Sequence, residues 1–188
     1  MRVKLEQMQE FVKTKMSEKR YNHVLGVLET AKELARRHGV DVEDAAYAAI
    51  AHDVAKEQPL TQTAAILRLD NERDYLKYSD KIWHAPMGAI IAKKTFLIDE
   101  VDVLNAIKYH TTGRKEMSDL EKVIFVADYT EPNRTFSGSI AVRELWDNLD
   151  RAVYEILRQK VEKVTNSGME IHPDTLAAYE YYGNSHAK

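Results

Sequence analysis

The chain contains no cysteine. Disulfides and thiolate metal sites are therefore excluded, and any bound metal must be held through nitrogen and oxygen. Proline and glycine are scarce, four and seven of 188 residues, so few positions force a helix to break. No stretch approaches the roughly 18 apolar residues of a membrane-spanning helix. The N-terminal MRVKLEQMQEF is amphipathic and lacks the apolar segment of a secretory leader. These absences lead us to expect a soluble, cytoplasmic protein with no membrane partner. Positive charge is also not in excess: 27 Lys and Arg stand against 30 Asp and Glu, a formal net charge of −3. No global basic field exists for nucleic acid, and an anionic ligand would need a local cluster of Arg and Lys. The length allows one sizeable core and is short for two, so we expect a single domain over residues 1–188.

What is present is helical periodicity, with no sustained alternation of period two. Ser17 can cap a helix from about Glu18 to His38, ended by Gly39. Asp41 can cap the next, through about Ala55, before Pro59 breaks it. Thr61 and Asn71 read as starts of two short helices reaching Lys77, and Pro86 sits in the first turn of another that runs to Phe96. Asp99 opens a helix to about His110, and Ser118 opens one to Tyr129. The loop EPNRTFSGS leads to a short helix near Ile140 to Trp146. A long helix follows from Leu149 to Asn166, stopped at Gly168, and a last one begins at Pro173. The expected class is all-α, a helical bundle.

Three of the seven histidines read as ordinary. His38 favours a helix C-terminus, His172 precedes Pro173, and His186 lies in the tail. The other four stand on apolar faces or at helix ends. His23, in RYNHVLGV, shares a face with Arg20 and Gly26, and a glycine inside a helix points to close approach of another backbone. His52 and Asp53 follow an alanine-rich run. Asp53 could pair with Lys56, or both side chains could grasp one ion between them. His84 precedes a first helical turn and His110 ends a helix. Asp128, in VIFVADYTE, follows an unbroken apolar run, so its carboxylate should be buried against Arg134 or a metal. Six such nitrogen and oxygen donors fit a two-metal site with an open position for water.

The segments RYNHVLGV, AHDVAKE, WHAPMGA, YHTTGR and ADYTEPNR together resemble the HD-domain metal-dependent phosphohydrolases. More closely, they are similar to the YqeK family of bacterial symmetrical diadenosine tetraphosphate hydrolases. The resemblance implies an HD-type bundle whose motif core spans about 18–134, with C-terminal helices at about 139–183 completing a nucleotide pocket. It implies two transition-metal ions, iron foremost, with Mn, Co or Zn also accepted by such donors. His23, His52, Asp53, His84, His110 and Asp128 would be the ligands, with Asp53 bridging. Lys56 and Arg134 would act beside Asp53 in catalysis. Arg20, Lys56 and Arg134 would meet phosphates, with His23 and His84 also facing the substrate. Thr111 or Thr112 could donate a hydroxyl, and His172 and Thr175 could contact the nucleotide. Arg114 reads as a surface charge.

Tyr179, Tyr181 and Tyr182 could stack on a purine, although an aromatic stripe at helical spacing is more often core. The expected reaction cuts a dinucleoside tetraphosphate at its centre, releasing two ADP or a GDP-like product. A homodimer is compatible with this reading. Two alternatives are another HD-type hydrolase, acting on deoxynucleotides or guanosine polyphosphates, and a nucleotide sensor without turnover. The GYP triplet of cyclic-dinucleotide phosphodiesterases is absent.

Overall fold

A computed structural model describes residues 2–186. It contains α1 (Leu5–Lys13), α2 (Glu18–His38), α3 (Val42–Ala51), α4 (Leu60–Leu69), α5 (His84–Thr95) and α6 (Val101–Tyr109). After them come α7 (Asp119–Thr130), α8 (Ser137–Arg143), α9 (Leu149–Asn166) and α10 (Pro173–His186). Two 3-10 turns, Arg73–Lys77 and Asp80–Ile82, lie between α4 and α5, and the described residues form no strand. None of these helices is long and apolar enough to cross a membrane.

The caps follow the local chemistry. The Ser17 hydroxyl accepts the Arg20 N–H, and the Asp41 carboxylate accepts those of Glu43 and Asp44. Ser118 and Glu121 form a reciprocal capping box at the start of α7. The alanines at 45, 46, 48 and 49 are buried, so α3 can lie close to α2 and α6. Around this centre Leu34, Ile50, Ile124 and Leu157 are fully buried, each stabilising the fold by about 1.5–3 kcal/mol. α9 packs on α7 and α10 on α9, closing one side of the bundle.

Several expected boundaries move. α3 stops at Ala51 rather than near Ala55, because the His52 imidazole Nδ1–H donates to the Ala49 carbonyl at 2.6 Å. That bond competes with helix continuation. The chain then tightens, with Val54 N–H donating to Ala51 and Lys56 N–H to Asp53. Pro59 precedes α4, so Thr61 lies inside the helix, and Asn71 is a left-handed residue (φ 62°) rather than a helix start. Glu100, not Asp99, stands before α6. α8 begins at Ser137 and ends at Arg143, which leaves Trp146 free to donate its indole N–H to Thr130.

Candidate active site

Six side chains from five parts of the chain meet where α2, α3, α5, α6 and α7 converge. His23 comes from α2, His52 and Asp53 from the turn after α3, and His84 from the first residue of α5. His110 follows the end of α6, and Asp128 is in α7. Gly88 makes the convergence sterically feasible: a Cβ there would stand 3.2 Å from the His52 carbonyl oxygen.

Asp53 is the centre. Its Oδ2 lies 3.7 Å from His23 Nε2 and 3.5 Å from His52 Nε2. Its Oδ1 lies 3.1 Å from His84 Nε2 and 3.8 Å from His110 Nε2. Asp128 Oδ1 adds a donor 3.0 Å from His23 Nε2 and 3.8 Å from His52 Nε2. One carboxylate thus joins two groups of donors, His23–His52–Asp53 and Asp53–His84–His110, each gathered within 4.8 Å.

The imidazoles are held in fixed orientations. The Nδ1–H of His110 donates to the Ile107 carbonyl at 2.7 Å, repeating the His52–Ala49 device three residues back. A carbonyl only accepts, so both rings carry hydrogen on Nδ1 and turn their Nε2 atoms towards the centre. The third ring, His23, rests its Nδ1 against Glu131 Oε1 at 3.1 Å. The Nε2 atoms of His23 and His52 are buried without a hydrogen-bond partner of acceptable geometry, an arrangement that a bound cation would relieve.

Electrostatics point the same way. Burial alone would raise Asp53, but the charge on His52 and bonds from His110 and His84 hold its carboxyl well below the usual range. Asp128 is lowered likewise: burial opposes it, and the adjacent His23 imidazole and the His52 charge win. Burial pushes His84 down to about 4 and His110 below its ordinary value. His52 is the exception, since burial opposes charging but Asp53 beside it raises the imidazole. Ionised carboxylates beside largely neutral imidazoles are what a cation requires of its ligands. Two donors at about 2.1 Å from one ion and at right angles lie about 3 Å apart, so the observed spacings fit a divalent metal ion.

The HD domain family profile matches residues 20–133, which contain all six of these side chains. The chain belongs to the HD domain family. Among its relatives, the protein named bis(5'-nucleosyl)-tetraphosphatase, symmetrical, of Halalkalibacterium halodurans is 42% identical, over 90% of this chain and 92% of its own. Proteins of the same name from Bacillus subtilis and Staphylococcus aureus are 39% and 37% identical, covering 90% and 96% of this chain and 92% and 95% of theirs. A crystal structure from Clostridium acetobutylicum, described as a predicted HD superfamily hydrolase involved in NAD metabolism, superposes with a TM-score of 0.93. It is 34% identical and is covered completely, against 98% of this chain.

Beside the centre of this HD domain lies a cavity of about 670 Å³ whose wall includes Lys56, Thr111, Asp128, Arg134, His172 and Thr175. Lys56 Nζ donates to His84 Nδ1 at 3.2 Å and to the Lys81 carbonyl at 3.3 Å. The partner of Asp53 is therefore Arg20, at 2.9 Å, and not Lys56. Arg134 donates to Asp128 Oδ1 at 3.2 Å and to its carbonyl. The Thr111 hydroxyl is buried without a partner, while that of Thr175 donates to the Thr112 carbonyl. Thr112 is buried and is not part of the wall. His172 stacks on Tyr75 with centroids 4.7 Å apart, and its Nδ1 accepts the Asp174 N–H.

Other expectations need correction. Tyr179 stacks on Tyr154, Tyr182 is in the core, and none of the three C-terminal tyrosines lines this cavity. Arg114 is not a free surface charge but forks onto the buried Glu121. His38 does more than sit at a helix end, since its Nε2–H donates to the Trp146 carbonyl at 2.7 Å. Gly26 makes room for a side chain rather than a backbone: a Cβ there would collide with the Glu131 carboxylate.

Two residues escaped the sequence reading. Glu131 lies inside the ADYTEPNR segment, three residues after Asp128, and that spacing is a usable signal. Lys160 of α9 donates to the Thr111 carbonyl at 2.7 Å and lies 4.3 Å from the Phe125 ring centre. Nothing in the sequence separates it from its neighbouring lysines.

Proposed function

We propose that this chain hydrolyses diadenosine tetraphosphate at its central anhydride, releasing two ADP. The observation that carries the reading is Asp53, a single carboxylate shared by two sets of imidazoles beside a cation-lined cavity. The names of the three relatives agree with it. We assign His23, His52, Asp53 and Asp128 to one metal position, and Asp53, His84 and His110 to the other. Iron is the first choice, and Mn, Co and Zn suit the same donors. Bound there, two cations would neutralise phosphoryl charge and make hydroxide available near neutral pH.

The chain's own groups do the rest. With a metal held at His84 Nε2, that ring's proton would lie on Nδ1 and Lys56 would be free to turn towards the substrate. Arg134 offers its planar fork to a phosphate, and Arg20 would be freed for the same use where a metal took over Asp53. The Thr111 hydroxyl and the Lys160 ammonium face the nucleotide from the opposite wall, with His172 against the base or ribose. Residues 18–134 carry the ligands and helices over 139–183 complete the pocket, so the chain acts as one unit. We also place the enzyme in the cytoplasm, where its proposed nucleotide substrate would be met.

Chromatography of early time points with diadenosine tetraphosphate tests the reaction. ADP alone is expected, and equal ATP and AMP would defeat the symmetrical reading. Elemental analysis should give close to two metal ions per chain, and full activity with one would remove the paired arrangement.

A further inference from the structure

The cluster of histidines and aspartates borders two cavities, and their walls differ. The first, described above, has apolar and aromatic surface from Tyr78, Ile82, Tyr129, Phe136 and Ile171. A second cavity of about 620 Å³ opens on the other side of His23, at the start of α2. Its wall holds no aliphatic side chain and no Phe, Tyr or Trp among the described residues; its one ring is the His23 imidazole, which belongs to the donor cluster. Arg134 belongs to both walls. Asp128 borders the first cavity and His23 the second, and their donor atoms are 3.0 Å apart.

A tetraphosphate cut at its middle must lay one diphosphate on each side of the reacting phosphorus. A purine gains about 1–3 kcal/mol by stacking on an aromatic side chain, and only the first cavity offers Tyr and Phe rings. Of the three carboxylates in the second, Glu57 is engaged by the Ser17 N–H and hydroxyl, Glu131 by His23 and Asn133, and Glu18 is exposed to solvent. The side chains of Lys19 and Asn22, also on that wall, hydrogen-bond to no described residue and remain for phosphate oxygens. A substrate with two identical ends needs only one of them recognised.

We infer that the site reads one nucleoside, in the aromatic cavity, and holds the far half through its phosphates alone. A nucleoside 5'-tetraphosphate without a second nucleoside is then also a substrate. The inference rests on the tetraphosphatase reading above. Water oxygen bonds to the second phosphorus from the bound nucleoside. The anhydride oxygen between the second and third phosphates departs with the leaving group, and the products are nucleoside diphosphate and pyrophosphate. One water is consumed and no electrons are exchanged.

Metal-loaded protein should be given adenosine 5'-tetraphosphate and diadenosine tetraphosphate in parallel. ADP and pyrophosphate in equal amounts are expected from the first. Its kcat/KM should lie within about tenfold of that for the dinucleotide, a loss no larger than a weakly held base would cause. Cleavage of the dinucleotide with none of the mononucleotide, or release of ATP and phosphate, would overturn the inference. Calorimetry supplies a second readout: pyrophosphate should bind protein already saturated with ADP, and Lys19→Glu should weaken pyrophosphate more than ADP. Simple competition between the two ligands would overturn the two-cavity assignment. If the dinucleotide itself is not cut to ADP, the earlier reading falls, and the calorimetry still decides how the cavities are used.

Discussion

The histidine cluster and the cavity wall beside it hold their side chains in different ways. In the cluster, His52 and His110 are fixed by carbonyls of their own helices and His23 by Glu131, all of them buried. On the wall, Lys56, Arg134 and Lys160 are long, half-buried cations arriving from the turn after α3, the loop after α7, and α9. A metal ligand displaced by a fraction of an ångström no longer binds, whereas a lysine can follow a phosphate through several rotamers. Substitutions in the first region should therefore be all-or-nothing, and those in the second graded.

The largest effect belongs to Asp53→Ala. It removes the carboxylate common to both donor groups, so metal content and turnover should fall together, turnover by about 10³-fold or more. Elemental analysis beside a rate assay checks this, and retained metal at both positions would abolish the shared role.

Glu131→Gln comes next. It leaves the volume unchanged but weakens the brace on His23, and metal affinity should drop about 10–100-fold with the helical content intact. A chelator-competition titration measures it. Gly26→Ala should act in the same direction by pushing the Glu131 carboxylate aside. The double variant should lose less than the sum of the two, because both act through one contact.

Arg134→Ala tests the wall. Removal of a charge-assisted phosphate contact worth about 1.5–3 kcal/mol should lower kcat/KM roughly 10–100-fold. Metal content and melting temperature should be unchanged. A fall in either would mean that the pair with Asp128 is the residue's main task.

The smallest effect is a pH dependence. Burial pushes the Lys160 ammonium down to about 8. The side chain is charged below that value and loses its charge as pH rises through it, so ADP affinity should decline on the alkaline side. Lys160→Arg stays charged throughout and should flatten that decline, as a calorimetric series from neutral to alkaline pH would reveal.

Much of the architecture was determined locally. The α2 boundaries from Ser17 to Gly39, the Ser118 start of α7 and the span of α9 follow from caps and apolar spacing, which act within a few residues. The six donors that converge were also visible, because a histidine or aspartate on an apolar face has few partners other than a metal or another charge. Tertiary structure decided what those donors do with one another. The division of Asp53 between two pairs of histidines cannot be read from spacing. The end of α3 at Ala51 depends on an imidazole taking a backbone acceptor. Gly26 answers to Glu131, whose bond to His23 spans 108 positions, and Lys160 reaches the Thr111 carbonyl across 49. Helix caps and amphipathic faces are properties of neighbours along the chain, whereas a site is made of atoms that only packing brings within 3 or 4 Å of each other.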